Sequence, residues 1–228
     1  IRGCGCRGNG DMRIMQLKSF FFGSLSAAIA AAVLALLVTT ALAAPVITRY
    51  VIKQDPLAMD LDALRLPPDG KHLLGTDSKG RDIFARIIAG SRPSLFVGIA
   101  SALFSLAIGT ALGLVAGYSG GKTDAILSRT FDVFLAFPSL LLAIGISAVI
   151  PPGLGSAMLA ITLVSWAGFA RLVRGMTMSL KEQTYIEASR AIGASTGRIL
   201  FRHILPNAVP LLLVAASLRI GGFILIES

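Results

Sequence analysis

Ser94 to Tyr118 reads SLFVGIASALFSLAIGTALGLVAGY, without a single ionisable acid or base except the terminal tyrosine. As a helix rising about 1.5 Å per residue, this run exceeds the roughly 30 Å hydrocarbon thickness of a bilayer. It is also full of small residues: Gly98, Ser101, Ala102, Ser105, Gly109, Gly113 and Gly117. Glycines 109, 113 and 117 recur every four residues, so they share one helix face. Between helices in lipid, such a smooth face replaces hydrophobic drive with close van der Waals packing. The stretch is therefore expected to be a membrane-spanning helix with an interhelix contact along its glycines.

Working outward, four more apolar runs appear. Ser19 to Thr48 is uncharged and long enough to cross once. Ile126 to Ile150 re-enters after the turn Ser119-Gly120-Gly121-Lys122 and stops at Pro151-Pro152-Gly153. A further span runs from about Ser156 to Ala170, and a fifth from near Pro206 to Ile226. Across 228 residues, 54% are hydrophobic and 14% charged, with a mean hydropathy of +0.77. That balance is not that of a soluble domain. Strand-length alternation, the mark of an outer-membrane barrel, is absent. The fold class is thus all-α, a polytopic helical bundle with five spans present.

The chain divides into residues 1–18, an N-terminal cytoplasmic tail; 19–48, the first span; 49–93, an extracytoplasmic loop; and 94–228, a core of spans two to five. Arg13 and Lys18 ahead of an apolar run, with Ala41-Leu42-Ala43 beyond it, imitate a cleavable secretory signal. The run is longer than a signal core and more spans follow, so an uncleaved helix is the expectation. Cys4 and Cys6 form a lone C-x-C without further metal ligands, and Met12 or Met15 suits a true start. In the loop, Pro56, Pro67, Pro68 and Gly70 interrupt any long helix. From Ser78 to Gly90, Ile83, Phe84, Ile87 and Ile88 have helical spacing, with Lys79, Arg81, Asp82 and Arg86 on other sides. This predicts an amphipathic helix, lying on the membrane or packed on its own bundle.

The net charge of +9 is spread between the apolar runs rather than gathered on one face, which favours a topological role over nucleic-acid binding. With the N-terminus inside, Arg13, Lys18, Lys122, Arg129, Arg171, Arg174, Lys181, Arg190, Arg198 and Arg202 all fall on the cytoplasmic side. The loop from Arg49 to Arg92 is itself basic and weakens that asymmetry.

The inside-facing loop, within residues 175–205, leads into the most specific pattern of the chain. From Lys181 it reads KEQTYIEASRAIGASTGRILFRHILPNAVP. Glu187-Ala188-Ser189 is followed after three residues by Gly193, and after nine more by His203-Ile204-Leu205-Pro206-Asn207. Leu180 to Ile192 has the composition of a helix whose small Ala188 and Ser189 admit a partner surface. Gly193 suits the left-handed position that ends it. Ser195 or Thr196 can cap a second short helix carrying Ile199, Leu200 and Ile204, with Pro206 limiting its extension. Two short helices joined by a bend would project from the bilayer as a handle for a soluble partner.

In type and spacing this pattern resembles the cytoplasmic "EAA" loop of permease subunits of binding-protein-dependent ABC importers. The form H-x-L-P-N at His203, Leu205, Pro206 and Asn207 resembles the peptide and nickel branch. Before the second span, Leu74-Gly75-Thr76-Asp77, Gly80-Arg81-Asp82 and Ser91-Arg92-Pro93-Ser94-Leu95 resemble the L-G-T-D-x-x-G-R-D and G-x-R-x-S-L pattern of its C-type members. The two resemblances together cover nearly everything from Lys18 to Ser228.

This resemblance implies a type I importer permease in the inner membrane, multi-pass, pairing with a homologous second permease. Two ATPase subunits would dock below and an extracytoplasmic binding protein above. It implies six spans, so a final helix is expected beyond Ser228. Carried over, Glu187, Ala188 and Gly193 form the docking core, flanked by Ser189 and Arg190, and Glu187 is a candidate to pair with a basic residue of the ATPase. No phosphate-binding G-x-x-x-x-G-K-S/T sequence occurs here. The chain is thus not expected to be an enzyme or to hold a cofactor or metal, ATP and magnesium residing on the partner ATPases. The same pattern serves permeases for dipeptides, oligopeptides and nickel complexes, whose choice of substrate rests largely with the binding protein.

Several residues keep two readings. Asp77 and Asp82 are a metal pair or helix-start residues, the latter preferred. His203 is an interfacial helix-end residue or a proton or metal group, again the former preferred. Arg190, Arg198 and Arg202 either hold the loop beside anionic lipid or touch the ATPase. Arg219 is an intramembrane charge that either lines the pore or pairs within the complex. Two other classes compete: an ion-coupled secondary transporter, which would place ionisable residues or broken helices at mid-membrane, and a membrane-bound enzyme, for which no catalytic cluster is visible.

Overall fold

The computed structural model describes residues 25–52 and 55–227. The expectations for Cys4, Cys6, Met12, Met15, Arg13, Lys18 and the tail 1–18, and the first residues of the 19–48 span, lie outside them. Residues up to Arg92 and those from Pro93 onward make two compact units.

In the first unit, helix α1 (Leu25–Val46) continues as a π-helical turn over Ile47–Ile52. The stretch Leu25–Tyr50 is long and apolar enough to cross a membrane. Only Ala41 and Ala44 of α1 are buried, so its flanks are available to lipid or to other helices. Its polar groups suit lipid: Thr39, Thr40 and Thr48 donate their hydroxyls to Ala35, Leu36 and Ala44 carbonyls at 2.7, 2.7 and 2.8 Å. Each side-chain donor is thereby satisfied within its own helix. The following loop folds back on itself through an antiparallel bridge between Thr76 and Asp82.

Helix α2 runs from Ile83 to Ser119, so the expected amphipathic helix over Ser78 to Gly90 is not a separate element. Residues 83–90 are the first turns of the long helix, and the turn before it holds Ser78 to Arg81. Pro93 lies inside α2 without ending it. A proline removes one backbone donor, and a helix flanked by turns on both sides can absorb that loss as a local bend.

In the second unit, α3 (Gly121–Ala136) and α4 (Ser139–Val149) meet at 87°. The run Ile126 to Ile150 was expected to be one helix and is a bent pair instead. The cause is local: Pro138 forces Phe137 into extended backbone (φ −83°, ψ 137°) and supplies no N–H to the ladder. Helix α5 (Leu154–Lys181) follows and is the most enclosed, with Ala160, Ile161, Val164, Trp166, Ala167, Phe169, Ala170 and Val173 all buried. After α6 (Thr184–Ala191) and α7 (Thr196–Ile199), a π-helical turn over Leu200–Ile204 leads into α8 (Leu205–Glu227). Four helical stretches are long and apolar enough to cross a membrane, five when the bent pair is counted as one span. Among the described residues the chain is helical apart from loops, turns and the single bridge.

The small-residue face of α2 packs on α5. Ser101 and Ser105 donate to the carbonyls of Met158 and Thr162 at 3.5 and 3.4 Å, both pairs 57 positions apart. A Cβ added at Gly109 would lie 2.7 Å from the Trp166 carbonyl oxygen; at Gly113, 2.6 Å from that of Ala170; at Gly117, 2.7 Å from that of Arg174. Contacts advance in the same direction on both helices, so the two spans are parallel. That is the relation of alternate crossings. Helix α8 runs the other way: Gly98 faces Ile224 and Gly168 faces Arg219, while Leu114 and Val173 share a cluster with Ala208 and Leu212. Phe131 and Phe134 of α3 meet Trp166 edge-on, at 5.7 and 5.0 Å between ring centroids.

Candidate coupling elbow

Helix α5 ends at Lys181, and the chain turns through Glu182 and Gln183 into α6. At the far end of α6, Gly193 has φ +82°. Its N–H donates to the Arg190 carbonyl (2.9 Å) and that of Ala194 to the Ser189 carbonyl (3.0 Å). This pair of bonds is the glycine-terminated helix end, in which the left-handed residue closes carbonyls that the helix leaves open. Gly193 therefore stands where the sequence placed it. Ser195 takes the extended N-cap position, but its side chain makes no capping bond; its carbonyl accepts the Ile199 N–H at 3.0 Å.

Pro206 does not stop the second helix. From Thr196 to Glu227 the chain is helical throughout, α7 passing through the π-turn into α8. A π-turn shifts the ladder by one residue, and such a shift is where a missing proline donor is most easily accommodated. The Asn207 side-chain amide donates to the His203 carbonyl at 2.6 Å and reinforces this junction.

Three isoleucines fix the elbow: Ile186, Ile199 and Ile204 are fully enclosed, in one cluster with Leu114 of α2, Val173 of α5 and Leu212 of α8. Each such side chain contributes about 1.5–3 kcal/mol by burial. The opposite surface is open. Glu187, Ala188, Arg190, Ala191 and Gly193 are exposed, Ser189 is half-buried, and Ile192 is 86% exposed at the bend. The Ser189 hydroxyl bonds back to the Tyr185 carbonyl at 2.8 Å. Arg190 lies over the Tyr118 ring at 5.2 Å, a contact that holds the guanidinium beside the end of α2. The His203 ring is 6.5 Å from that of Tyr185. Leu205 is half-buried, while Pro206 and Asn207 are exposed. The arrangement is a bracket packed on the spans by one face, with Glu187, Arg190 and Ile192 exposed on the other.

Of the second family pattern, Leu74 to Asp82 sits in the loop before α2, and Ser91 to Leu95 lies within α2. Gly75 and Gly80 have φ +75° and +72°, and a Cβ on Gly80 would fall 1.7 Å from the Asp60 carbonyl oxygen. Only glycine fits there. Thr76 donates its hydroxyl to the Ala63 carbonyl and accepts from the Leu66 N–H at 2.8 Å. Asp82 caps α2, accepting the Ala85 N–H at 2.7 Å, and its other oxygen lies 2.8 Å from His72 Nδ1. Desolvation pushes the Asp77 carboxyl upward, but the N–H groups of Arg81 and Lys79 and the Arg81 guanidinium outweigh it and hold the acid well below the usual carboxylate range. Arg86 adds a further bond to Asp77 at 2.6 Å. Both carboxylates are thus engaged by the loop and the first turn of α2, and no group of three His, Cys, Asp or Glu among the described residues could hold a metal. The pairing of His72 with Asp82 was not foreseen, since ten residues separate them and only the returning loop unites them.

Two ion pairs also escaped the sequence. Arg174 grips Asp124 with two bonds, and Arg171 pairs with Asp132, both joining α5 to α3. The arginines had been read only as topological charges. Their spacing of three, facing two aspartates two turns apart, was the available signal. Arg219 is different: it lies on α8 over the Phe169 ring at 4.8 Å, with no acidic partner among the described residues.

Residues 109–227 match the sequence profile of the family described as binding-protein-dependent transport system inner membrane component. Similar proteins include the glutathione transport system permease protein of Pectobacterium atrosepticum, 50% identical over 71% of this chain and 54% of its own length. The oligopeptide transport system permease protein of Bacillus subtilis is 40% identical over 86% of this chain and 63% of its own. A probable D,D-dipeptide transport system permease protein of Escherichia coli is 37% identical over 97% and 72%. The chain spans about half to two thirds of the length of the first two relatives. Four helices long and apolar enough to cross a membrane, with a bent pair besides, and a family match over half the sequence agree: the chain belongs to the family of inner membrane components of binding-protein-dependent transport systems.

Proposed function

We propose that this chain is a transmembrane permease subunit of an ATP-driven importer for peptides or a related small solute such as a nickel complex. Its N-terminus is cytoplasmic, and residues 175–205 form the element gripped by the ATPase. The observation that carries this reading is the two-faced elbow. Ile186, Ile199 and Ile204 bind it to the ends of three spans, while Glu187, Ala188 and the Gly193 bend stay open to a partner.

A force applied at α6 therefore reaches α2, α5 and α8 through packed side chains rather than through a loose loop. ATP and magnesium would act on two partner ATPases, whose closure moves the elbow and shifts the pore between inward- and outward-facing forms. Glu187, exposed and without an ion pair among the described residues, is available to a basic residue of the ATPase. A second permease completes the pore, and an extracytoplasmic binding protein delivers the substrate. The names of the relatives, which refer to oligopeptides, dipeptides and glutathione, support a peptide-like cargo.

The test is ATP-dependent uptake by the full-length protein reconstituted with its partner subunits. Glu187→Lys or Gly193→Asp should reduce uptake at least about tenfold, equivalent to about 1.4 kcal/mol of coupling, while membrane insertion persists. Normal uptake by both variants would refute the docking role.

A further inference from the structure

Arg219 has no structural explanation in the elbow or in the ion pairs of α3 and α5. It lies within an apolar span, on the order of 24 Å along the helix axis from His203, where a cation is costly and usually marks a functional site. Its guanidinium is positioned rather than free. It rests on the Phe169 ring at 4.8 Å and against Gly168, where an added Cβ would come within 2.5 Å of a guanidinium nitrogen. No carboxylate among the described residues neutralises it, although the other two arginines of this region, Arg171 and Arg174, each have one.

Arg219 opens on a cavity of about 520 Å³ beside the break between α3 and α4. Phe134, Phe137, Ser139, Ser165 and Phe223 contribute to its wall. The cavity is thus apolar on most sides, with two hydroxyls and one fixed cation. Ser139 is also the first residue of α4, so free N–H groups of that helix start lie near the same space. Broken helices whose half-helix N-termini point at an anionic group are a recurrent way for membrane proteins to bind one.

We propose that Arg219 receives the carboxylate of an anionic substrate in transit, such as the free C-terminus of a peptide, with Ser139 and Ser165 as neutral hydrogen-bonding neighbours. The inference rests on the peptide-importer reading above. The flat guanidinium can donate two parallel bonds to a carboxylate, and the Phe169 face behind it holds the plane in place. Arg219 is exposed, which allows release as the pore changes form, where a fully enclosed pair would resist.

The experiment uses the complete transporter in proteoliposomes, with its binding protein, and a labelled dipeptide as the free acid or as the C-terminal amide. Uptake by Arg219→Gln and Arg219→Lys is expressed as a ratio to wild type for each peptide, so the preference of the binding protein cancels. Arg219→Gln should lower free-acid uptake about tenfold, leave the amide ratio near one, and be partly rescued by Arg219→Lys. Equal losses for both peptides, with loss of the co-purifying second permease, would instead make Arg219 an intersubunit ion pair and overturn the proposal. Unchanged uptake of both would overturn it too. If the wild type takes up neither peptide in the presence of ATP, the importer reading fails and the inference falls with it.

Discussion

At the scale of single residues, the glycines of α2 show how one missing methyl sets a distance between helices. A Cβ at Gly109 would lie 2.6 Å from that of Phe169 and 2.8 Å from the Ala170 nitrogen. These neighbours are backbone or Cβ atoms, which cannot rotate away. Gly109→Val should therefore push α2 off α5 and cost about 1–3 kcal/mol, read as a lower midpoint of thermal unfolding in detergent. Gly145, which faces open space, is the control and should tolerate alanine. A second prediction concerns Asp77. Its folded pKa is lowered, so its contribution to the loop is present above the unfolded value of about 4 and is lost as pH falls toward the folded one. Proteolysis of the loop between α1 and α2 should accelerate in acid in the wild type. Asp77→Asn should be cleaved faster at neutral pH and show a flatter pH profile.

At the scale of elements, the sequence was most legible where one residue type has one physical use. The uncharged runs marked α1, α2 and α5, and Gly193 marked the end of α6, because a left-handed helix end tolerates almost nothing else. Prolines were harder to read. Pro138 breaks the bent pair, Pro206 does not end the second elbow helix, and Pro93 sits inside α2. The residue is the same; what differs is whether the neighbouring backbone can supply other partners, and that depends on packing rather than on local sequence. The ion pairs of α3 and α5 left only the weak signal of their spacing, since they join residues far apart in the chain. They yield a third prediction. In a double-mutant cycle, Asp124→Asn and Arg174→Gln should show a coupling of about 0.5–3 kcal/mol, measured by unfolding of the solubilised protein. Additive effects would mean that the pair does not hold α3 to α5.

At the scale of the whole molecule, the elbow is packed against three spans by its isoleucines. Parallel α2 and α5, with antiparallel α8, bring the ends of three spans to the isoleucines of the elbow, so its displacement must repack the spans rather than slide past them. Ile192 offers the most direct test, being 86% exposed and making no part of the core. In the full-length protein without other accessible cysteines, Ile192→Cys is treated with a membrane-impermeant maleimide in vesicles of both orientations. The account predicts labelling only when the cytoplasmic face is outward, and protection once the ATPase subunits are bound. Labelling from the extracytoplasmic face, or labelling that the ATPases do not diminish, would contradict it.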